Sequence, residues 1–267
     1  MSYTACKVAI DDNGIATLTM SRPEIHNAFD DKVIAELRHI LSGLATQDGV
    51  RVLVLAAEGK SFSAGADASW MRRMAGYSHA ENRRDAQELA GLMQQLDRFP
   101  SPTVARVQGA AFGGGVGLVA CCDFAIANRR ASFCLSEVKI GLIPATISPY
   151  VIAAIGPRAA RRYAISAERF GAEQAEQLGL VSQCVDDDQL DDTVAAFCSG
   201  LLNNSPAAMR AAKTLIQDYQ ARDIDNALIQ DSCTRIADIR VSPEGQEGLS
   251  AFLEKRQASW IRKHNNV

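Results

Sequence analysis

The chain has 267 residues, of which 47% are hydrophobic and 22% are charged, a composition typical of ordinary globular proteins that excludes disordered and fibrous classes. Its formal net charge is −3, from 28 Lys and Arg against 31 Asp and Glu, so no global positive field would recruit nucleic acid or an anionic membrane. The longest apolar stretch, residues 103–127, contains Arg106, Gln108 and Asp123 and does not resemble a membrane span.

Apolar periodicity predicts a strand and then a helix near the N-terminus. Ala16, Leu18 and Met20 alternate with threonines, which predicts a strand that ends at the turn-forming pair Arg22-Pro23. A helix is expected from Asp30 onward, because apolar residues recur at helical spacing at Val33, Ile34, Leu37, Ile40, Leu41 and Leu44.

The next segments alternate between the two kinds of element. Residues 51–57 predict a buried strand, residues 59–67 a small-residue loop, and residues 69–74 a helical region. Residues 81–99 predict an amphipathic helix that two prolines stop.

A glycine cluster follows a further strand. The predicted elements are a strand at 103–107, a small-residue helix within 109–122, strands at 123–127 and 131–135, and mainly helix from Pro157 onward. This order predicts an α/β core over residues 1–195 and an α-helical C-terminal region over residues 196–267.

Cysteine usage and the first residues predict a cytoplasmic protein. The seven cysteines form an odd, widely spread set, as expected of reduced thiols. The N-terminal segment lacks the basic and apolar regions of a secretory signal. No cysteine pair has ligand spacing and the four histidines are isolated, so no metal site is expected.

Several catalytic classes lack their motifs. The phosphate loop GxxxxGK[ST], the dinucleotide fingerprint GxGxxG and the nucleophile elbow GxSxG are all absent. Kinase, dehydrogenase and Ser-His-Asp hydrolase functions are therefore not expected.

The two small-residue loops, residues 59–67 and 109–117, are the most informative segments. Glycine and alanine let backbone N–H groups approach a ligand atom that larger side chains would block. A helix that begins in the second loop would direct unpaired N–H groups and its positive dipole end toward a developing negative charge, such as a thioester enolate oxygen. Taken alone, a glycine cluster more often serves close helix packing.

Glu137 is the best acid/base candidate. It lies in an apolar segment, residues 133–145, where a carboxylate would be costly to bury without a partner or a function. The alternative is a solvated glutamate paired with Lys139. Asp67 suits a capping role, and Trp70 suits either an acyl pocket or the core.

Five motifs, in their order and spacing, resemble the enoyl-CoA hydratase/isomerase (crotonase) superfamily over about residues 8–260. They are SRPEIHNAF at 21–29, GKSFSAGAD at 59–67, VQGAAFGGGVGLVACCDFAIA at 107–127, SEVKIGLIP at 136–144 and GLSAFLEKR at 248–256. The resemblance implies an α/β fold, a crotonase-like spiral of ββα units with an α-helical C-terminal region that forms trimers, often paired into hexamers.

The resemblance also implies an acyl-CoA site without a separate cofactor, since coenzyme A is part of the substrate. Two backbone N–H groups, those of Ala66 and Gly114, would hold the thioester oxygen beside Glu137. The residues implied to bind substrate or CoA are Ile25, His26, Ala28, Ser63, Ala64, Asp67, Trp70, Ser148 and Lys255.

One position departs from the family pattern. Hydratases of this family commonly use two glutamates; the second matches Glu137, but the first falls on Gly117. Three accounts of water activation stay open: a different side chain, a carboxylate of the substrate, or one glutamate that performs both proton steps. We hypothesise that Glu137 is the sole essential acid/base.

Within the superfamily, the motifs look most like bacterial methylglutaconyl-CoA hydratases of leucine and isovalerate breakdown and the isohexenylglutaconyl-CoA hydratase of acyclic terpene breakdown. Both hydrate a branched thioester with a distal carboxylate. The candidates by position for contacts with that carboxylate are Arg72, Arg73, Ser148 and Tyr150, although a solvated helix face explains at least one of the two arginines better.

Two other functions compete with hydration. A Δ3,Δ2-enoyl-CoA isomerase needs only one base and an oxyanion hole, which is what Gly117 leaves. A non-catalytic acyl-CoA binder or RNA-associated scaffold is the alternative of another class, against which Glu137 and the balanced charge argue.

Overall fold

The computed structural model describes residues 3–220 and 222–261. Its strands are, in chain order, β1 (Cys6–Ile10), β2 (Ile15–Met20), β3 (Val52–Ala57), β4 (Ser61–Ser63), β5 (Thr103–Val107), β6 (Ala110–Phe112), β7 (Phe124–Asn128), β8 (Ser132–Cys134), β9 (Phe170–Gly171) and β10 (Gln183–Val185). Its α-helices are α1 (Asp31–Thr46), α2 (Ala68–Met74), α3 (His79–Asp97), α4 (Gly114–Ala120), α5 (Ser148–Ser166), α6 (Ala172–Leu178), α7 (Leu190–Leu201), α8 (Pro206–Tyr219), α9 (Asn226–Val241) and α10 (Pro243–Leu253).

The strands form two sheets that the chain visits in turn. The larger sheet has the order β1-β2-β3-β5-β7-β10 and the smaller has the order β4-β6-β8-β9. All pairings are parallel except those of β1 with β2 and of β8 with β9. Successive units such as β3-β4-α2 and β5-β6-α4 therefore place one strand in each sheet before a helix. This is the ββα spiral that the sequence motifs imply.

The first helix confirms its predicted buried face. All six residues predicted from periodicity, Val33, Ile34, Leu37, Ile40, Leu41 and Leu44, are the buried residues of α1. Asp30 lies at the N-cap, where its side chain accepts a hydrogen bond from the Val33 N–H, which satisfies one of the unpaired donors at the helix start.

One expectation about secondary structure was wrong. Helical structure begins at Ser148 rather than at Pro157, because α5 continues through a kink at Gly156, whose φ of 73° and ψ of 160° are not helical. The region after Pro157 is mainly helical, as predicted, apart from β9 and β10, and β10 completes the larger sheet beside β7. Both strands have three residues or fewer, too few for an alternation pattern to be visible.

The C-terminal helices are held at the ends where the strands of the larger sheet begin. Lys213 on α8 lies 2.7 Å from the Asp123 carboxylate just before β7. Arg51, just before β3, donates to the backbone oxygens of Leu202 and Trp260. The predicted division after residue 195 falls inside α7 and stays a prediction.

None of the helices within residues 3–220 and 222–261 combines the length and apolar character that a bilayer-spanning helix needs.

Candidate active site

Three adjacent parallel strands bring the predicted catalytic residues together. Ala66 follows β4, Gly114 follows β6 and Glu137 follows β8, and these strands are neighbours in the smaller sheet. Because the carboxyl ends of parallel strands meet at one edge of a sheet, residues far apart in sequence converge there. The site is thus a product of the repeated ββα unit.

Phe29 joins the first loop to the second. Its backbone N–H donates to the Gly65 oxygen at 2.9 Å, and its oxygen accepts from the Asp67 N–H at 3.0 Å, which makes a parallel bridge between Phe29 and Ala66. Its ring, 1% exposed, packs against the second loop so closely that a Cβ on Gly114 would lie 2.4 Å from the ring atom Cζ. Real Cβ contacts are never that short, so this contact requires glycine at position 114.

The two loops also touch directly. Gly65 has a φ of +86°, and a Cβ there would lie 2.7 Å from the Phe112 oxygen and 3.6 Å from the Gly114 nitrogen. A side chain at position 65 would therefore be strained by conformation and blocked by backbone. Its absence is what lets the Ala66 segment approach the start of α4.

Two backbone N–H groups are left without acceptors where the loops meet. Over residues 3–220 and 222–261, neither the Ala66 N–H nor the Gly114 N–H donates a hydrogen bond to another protein group. Gly114 is the first residue of α4, so its N–H belongs to the unpaired donors of a helix start. A pair of free donors is suited to an oxygen that gains negative charge.

Glu137 lies against the same helix start. The position that a Cβ of Gly113 would take is 3.1 Å from the Glu137 Oε1 atom, and Gly113 has a φ of +51°. The other carboxyl oxygen, Oε2, is buried and has no hydrogen-bond partner among the described residues. Burial raises the pKa of Glu137 above its ordinary value, because removal from water penalises the charged form.

This burial makes the folded state depend on pH. Between the ordinary glutamate pKa and the raised one, the folded chain holds a proton that the unfolded chain has lost, so the Glu137 contribution to stability is fully present below the ordinary pKa and is lost as pH rises through the raised pKa. We expect Glu137→Gln to raise the Tm at pH 7.5 and to leave it nearly unchanged at pH 4, measured by circular dichroism. Lys139→Gln is the control, and equal Tm shifts at both pH values would contradict the prediction.

Hydrogen bonds join the two segments predicted to contact CoA, residues 25–28 and 63–67. The Ala64 N–H donates to the His26 oxygen at 2.9 Å, and His26 Nδ1 lies 3.1 Å from the Ser61 hydroxyl. Ile25 is half-buried, His26 and Ala64 are exposed, and Ala28 is buried. Exposed positions in both segments therefore flank a shared surface beside Ala66.

Three of the predicted binding residues hold the loops rather than face solvent. The Ser63 hydroxyl is fully buried, donates to the Asn27 oxygen at 2.9 Å and accepts from the Gly65 N–H at 3.2 Å. Asp67 caps α2 by accepting from the Ser69 N–H. The hydrogen bonds that Ser69 donates, above all from its hydroxyl, lower the pKa of Asp67. Trp70 is 3% exposed, with its indole N–H donating to Asp85 at 3.1 Å. Ser63 and Trp70 are buried core residues in this chain, so direct contact with CoA stays a prediction for them.

The residues proposed for a distal carboxylate do not converge on one point. The Ser148 hydroxyl donates to the Pro144 oxygen at 2.6 Å. Arg73 pairs with Asp31, and Arg72 is exposed on α2. Tyr150 lines a separate cavity of about 600 Å³, and burial raises its pKa.

Lys255 follows α10, and the segment beyond α10 is anchored to Arg51, at the start of β3, through Trp260. A contact between Lys255 and the CoA phosphates stays a prediction.

Sequence reasoning missed three residues that build the site: Asn27, Phe29 and Ile147. Asn27 has a φ of 51°, is buried, and donates through its amide to the Glu58 and Ser61 oxygens. Asparagine tolerates this left-handed conformation better than most residues, so its place in a turn was the one available signal. Phe29 and Ile147 gave none, because a single apolar residue is read from the sequence as core.

The described fold and its relatives together define the class of protein. An enoyl-CoA hydratase from Shewanella pealeana is 49% identical, with a TM-score of 0.93 over 96% of this chain and 96% of that one. An enoyl-CoA hydratase from Mycobacterium smegmatis is 34% identical, with a TM-score of 0.92 over 97% of this chain and 100% of that one. The 2,3-dehydroadipyl-CoA hydratase of Escherichia coli is 30% identical over 91% of this chain and 93% of its own length.

The architecture is therefore that of the crotonase-type α/β enzymes. The chain belongs to the enoyl-CoA hydratase/isomerase family, whose profile matches residues 11–263. It is an enzyme of the enoyl-CoA hydratase type, a hydro-lyase, and its substrate is an acyl-CoA.

Proposed function

We propose that the protein adds water across the double bond of a branched enoyl-CoA of the 3-methylglutaconyl type. The observation that carries this proposal is the Glu137 carboxyl, whose Oε2 is buried without a hydrogen-bond partner, beside two backbone N–H groups without acceptors. A thioester enolate needs two such donors at its oxygen and one proton relay at its α-carbon.

Each of the three residues has a defined part in the proposed reaction. The Ala66 and Gly114 N–H groups donate to the thioester oxygen as it gains charge during attack of water on the β-carbon. Glu137 donates a proton to the α-carbon. Burial raises the pKa of Glu137 and so favours the protonated form that this step consumes.

The methylglutaconyl substrate rests on motif resemblance and on the chemistry of relatives. The E. coli relative is named for a dehydroadipyl thioester, an enoyl-CoA with a second carboxyl group. A relative from Aspergillus fumigatus, 31% identical over 96% of this chain and 94% of its own length, is named a mevalonyl-coenzyme A hydratase. A branched or carboxylate-bearing acyl group is thus compatible with this fold, and leucine, isovalerate or acyclic terpene breakdown would supply one.

Gly117 favours a second candidate, Δ3,Δ2-enoyl-CoA isomerisation. Moving one proton between two carbons needs only Glu137 and the two N–H donors, and position 117 supplies no second carboxylate. Both candidate functions use the same site.

A spectroscopic panel separates these functions. The purified protein is incubated with 3-methylglutaconyl-CoA, isohexenylglutaconyl-CoA, crotonyl-CoA and a 3-enoyl-CoA, and the absorbance of the conjugated enoyl thioester is followed. Loss of absorbance with the glutaconyl substrates supports hydration, whereas a gain with the 3-enoyl-CoA supports isomerisation. Tight CoA-ester binding without any absorbance change would favour the non-catalytic binder and overturn both enzymatic proposals.

We also propose that the protein works as a homotrimer or a hexamer in the cytoplasm, with no cofactor besides the CoA of its substrate. Helices α8 to α10 leave large apolar side chains exposed, among them Phe252 at 81% and Leu253 at 77%. Large apolar side chains left this exposed are typical of contact sites between proteins. Lys255 is the cation proposed to meet the CoA phosphates.

Introducing charge on this surface should dissociate the assembly. We expect Phe252→Asp to shift the sedimentation mass from that of a trimer or hexamer to that of one 28.7 kDa chain, because a buried unpaired carboxylate opposes association. Phe252→Leu keeps the apolar character and should keep the mass of the wild type. A wild-type protein that sediments as a single chain would contradict the proposed oligomer.

A further inference from the structure

The position of the missing glutamate is filled by an apolar side chain. A Cβ on Gly117 would lie 2.3 Å from Ile147 Cγ2, 2.8 Å from Ile147 Cβ and 3.2 Å from the Met93 sulfur. Ile147 is 1% exposed and Met93 is 0% exposed. The space that a side chain at position 117 would enter is therefore filled by Ile147, so Gly117 leaves no cavity for a catalytic side chain.

This blocked position lies about one helical turn from the reaction site. Gly117 follows Gly113 by four residues and Gly114 by three, so each of them neighbours Gly117 along α4. The rise of a helix places Gly117 about 5 Å along the axis from Gly114. Gly113 lies against Glu137, and Gly114 carries the free N–H. Ile147, which packs against Gly117, therefore lies beside the same end of α4.

Glu137 has no charged partner that could substitute for the lost carboxylate. Among the described residues, the pKa of Glu137 responds to burial and to its own backbone, with no contribution from another charged side chain. An anionic group of the substrate beside Glu137 would raise the pKa of Glu137 further, because two carboxylates at close range repel, and would thus favour its protonated form.

We propose that Ile147 is a specificity-determining residue: it excludes a second carboxylate and restricts hydration to enoyl thioesters whose own carboxylate lies one methylene from the β-carbon. This inference rests on the proposed hydratase function and names the substrate class of that same site. The 3-methylglutaconyl group has such a carboxylate, and crotonyl-CoA does not.

The step balances without an added reactant. The substrate carboxylate accepts a proton from water while the water oxygen forms a bond to the β-carbon, and the double-bond electrons move toward the thioester oxygen at Ala66 and Gly114. Glu137 gives its proton to the α-carbon, which completes the addition of one water molecule. The proton held by the substrate carboxyl then passes back to Glu137, restoring its neutral form.

A change of one functional group in the substrate tests the proposal on the wild-type enzyme. We compare 3-methylglutaconyl-CoA with its analogue in which the distal carboxylate is a carboxamide, similar in size but unable to accept the proton. We expect kcat to fall by about 100-fold or more with the carboxamide, the size of a general-base contribution. A carboxylate used only for recognition would instead raise KM and leave kcat unchanged.

A paired substitution tests the role of Ile147. In the Ile147→Gly and Gly117→Glu double variant, the new glutamate side chain enters the volume that isoleucine has left, and we expect crotonyl-CoA hydration to rise by about 10-fold or more over the wild type. Ile147→Gly alone supplies no base and should show no gain. Ile155→Gly is the matched control, since Ile155 is a buried isoleucine of the neighbouring helix α5.

The outcomes distinguish this inference from the function on which it rests. Equal kcat values for the carboxylate and carboxamide substrates would overturn the inference and leave the hydratase intact, as would a folded double variant without a gain. A wild-type enzyme that hydrates none of these thioesters would overturn the proposed hydratase, and the inference with it. The substrate comparison needs no variant, so a double variant that fails to fold leaves the inference falsifiable.

Discussion

Glu137→Gln should lower kcat by about 10²- to 10⁴-fold on any thioester the protein turns over, because a positioned acid/base contributes that much to a proton transfer. Glutamine keeps the shape and can donate a hydrogen bond, but it cannot give up or take back the proton at the α-carbon. The expected loss is large because the Glu137 carboxyl lies against Gly113, next to the free Gly114 donor.

The location of the defect matters as much as its size. Substrate binding rests on other groups, so KM should change far less than kcat. Exchange of the substrate α-proton with deuterium oxide solvent gives a second readout, which should vanish in the variant. Lys139→Gln, two residues away and exposed, should retain both activities. Full turnover or full exchange in Glu137→Gln would remove Glu137 from the mechanism.

Local periodicity predicted the elements whose apolar face could be buried by neighbours from many parts of the fold. Helix α1 has an apolar stripe that any packed core would bury, and its six predicted residues are the buried ones. Strand β5 likewise has the predicted bounds, residues 103–107. In both, one repeating pattern is enough to assign the element, because many alternative neighbours would satisfy it.

Short or irregular elements escaped prediction for a physical reason. Strand β1 alternates weakly at the edge of the larger sheet, where only one neighbour, β2, orders it. Helix α5 passes a non-helical Gly156 before Pro157, so the proline marked a kink inside the helix rather than its start. Such features depend on packing that has no local signature.

The candidate site divides in the same way. Glu137 was recognisable because a carboxylate in an apolar segment is costly to bury and therefore indicates a function. The contacts of Phe29 with Gly114 and of Ile147 with Gly117 join residues 85 and 30 positions apart, and each looks like ordinary core from the sequence. The glycines indicated that another side chain packs closely against the backbone, but only the fold identifies that side chain.

Gly114→Ala should be the second most damaging change in the site. The added Cβ would meet the Phe29 ring at 2.4 Å, and the ring cannot withdraw into solvent, because it is 1% exposed. Displacing Phe29 also moves Ala66, since the two residues are bridged. Both N–H donors would therefore leave their positions, and loss of even one such donor costs about 10²- to 10³-fold in kcat.

Relief of the clash provides the decisive comparison. We expect Phe29→Leu, combined with Gly114→Ala, to recover kcat by about 10-fold over Gly114→Ala alone, because the smaller side chain leaves room for the methyl group. The two changes should thus be strongly non-additive, as expected of residues in contact. Gly43→Ala, at a position where a Cβ meets nothing within 4 Å, should leave kcat unchanged. If Gly114→Ala keeps kcat within threefold of the wild type, the Phe29 contact does not hold the two donors in place.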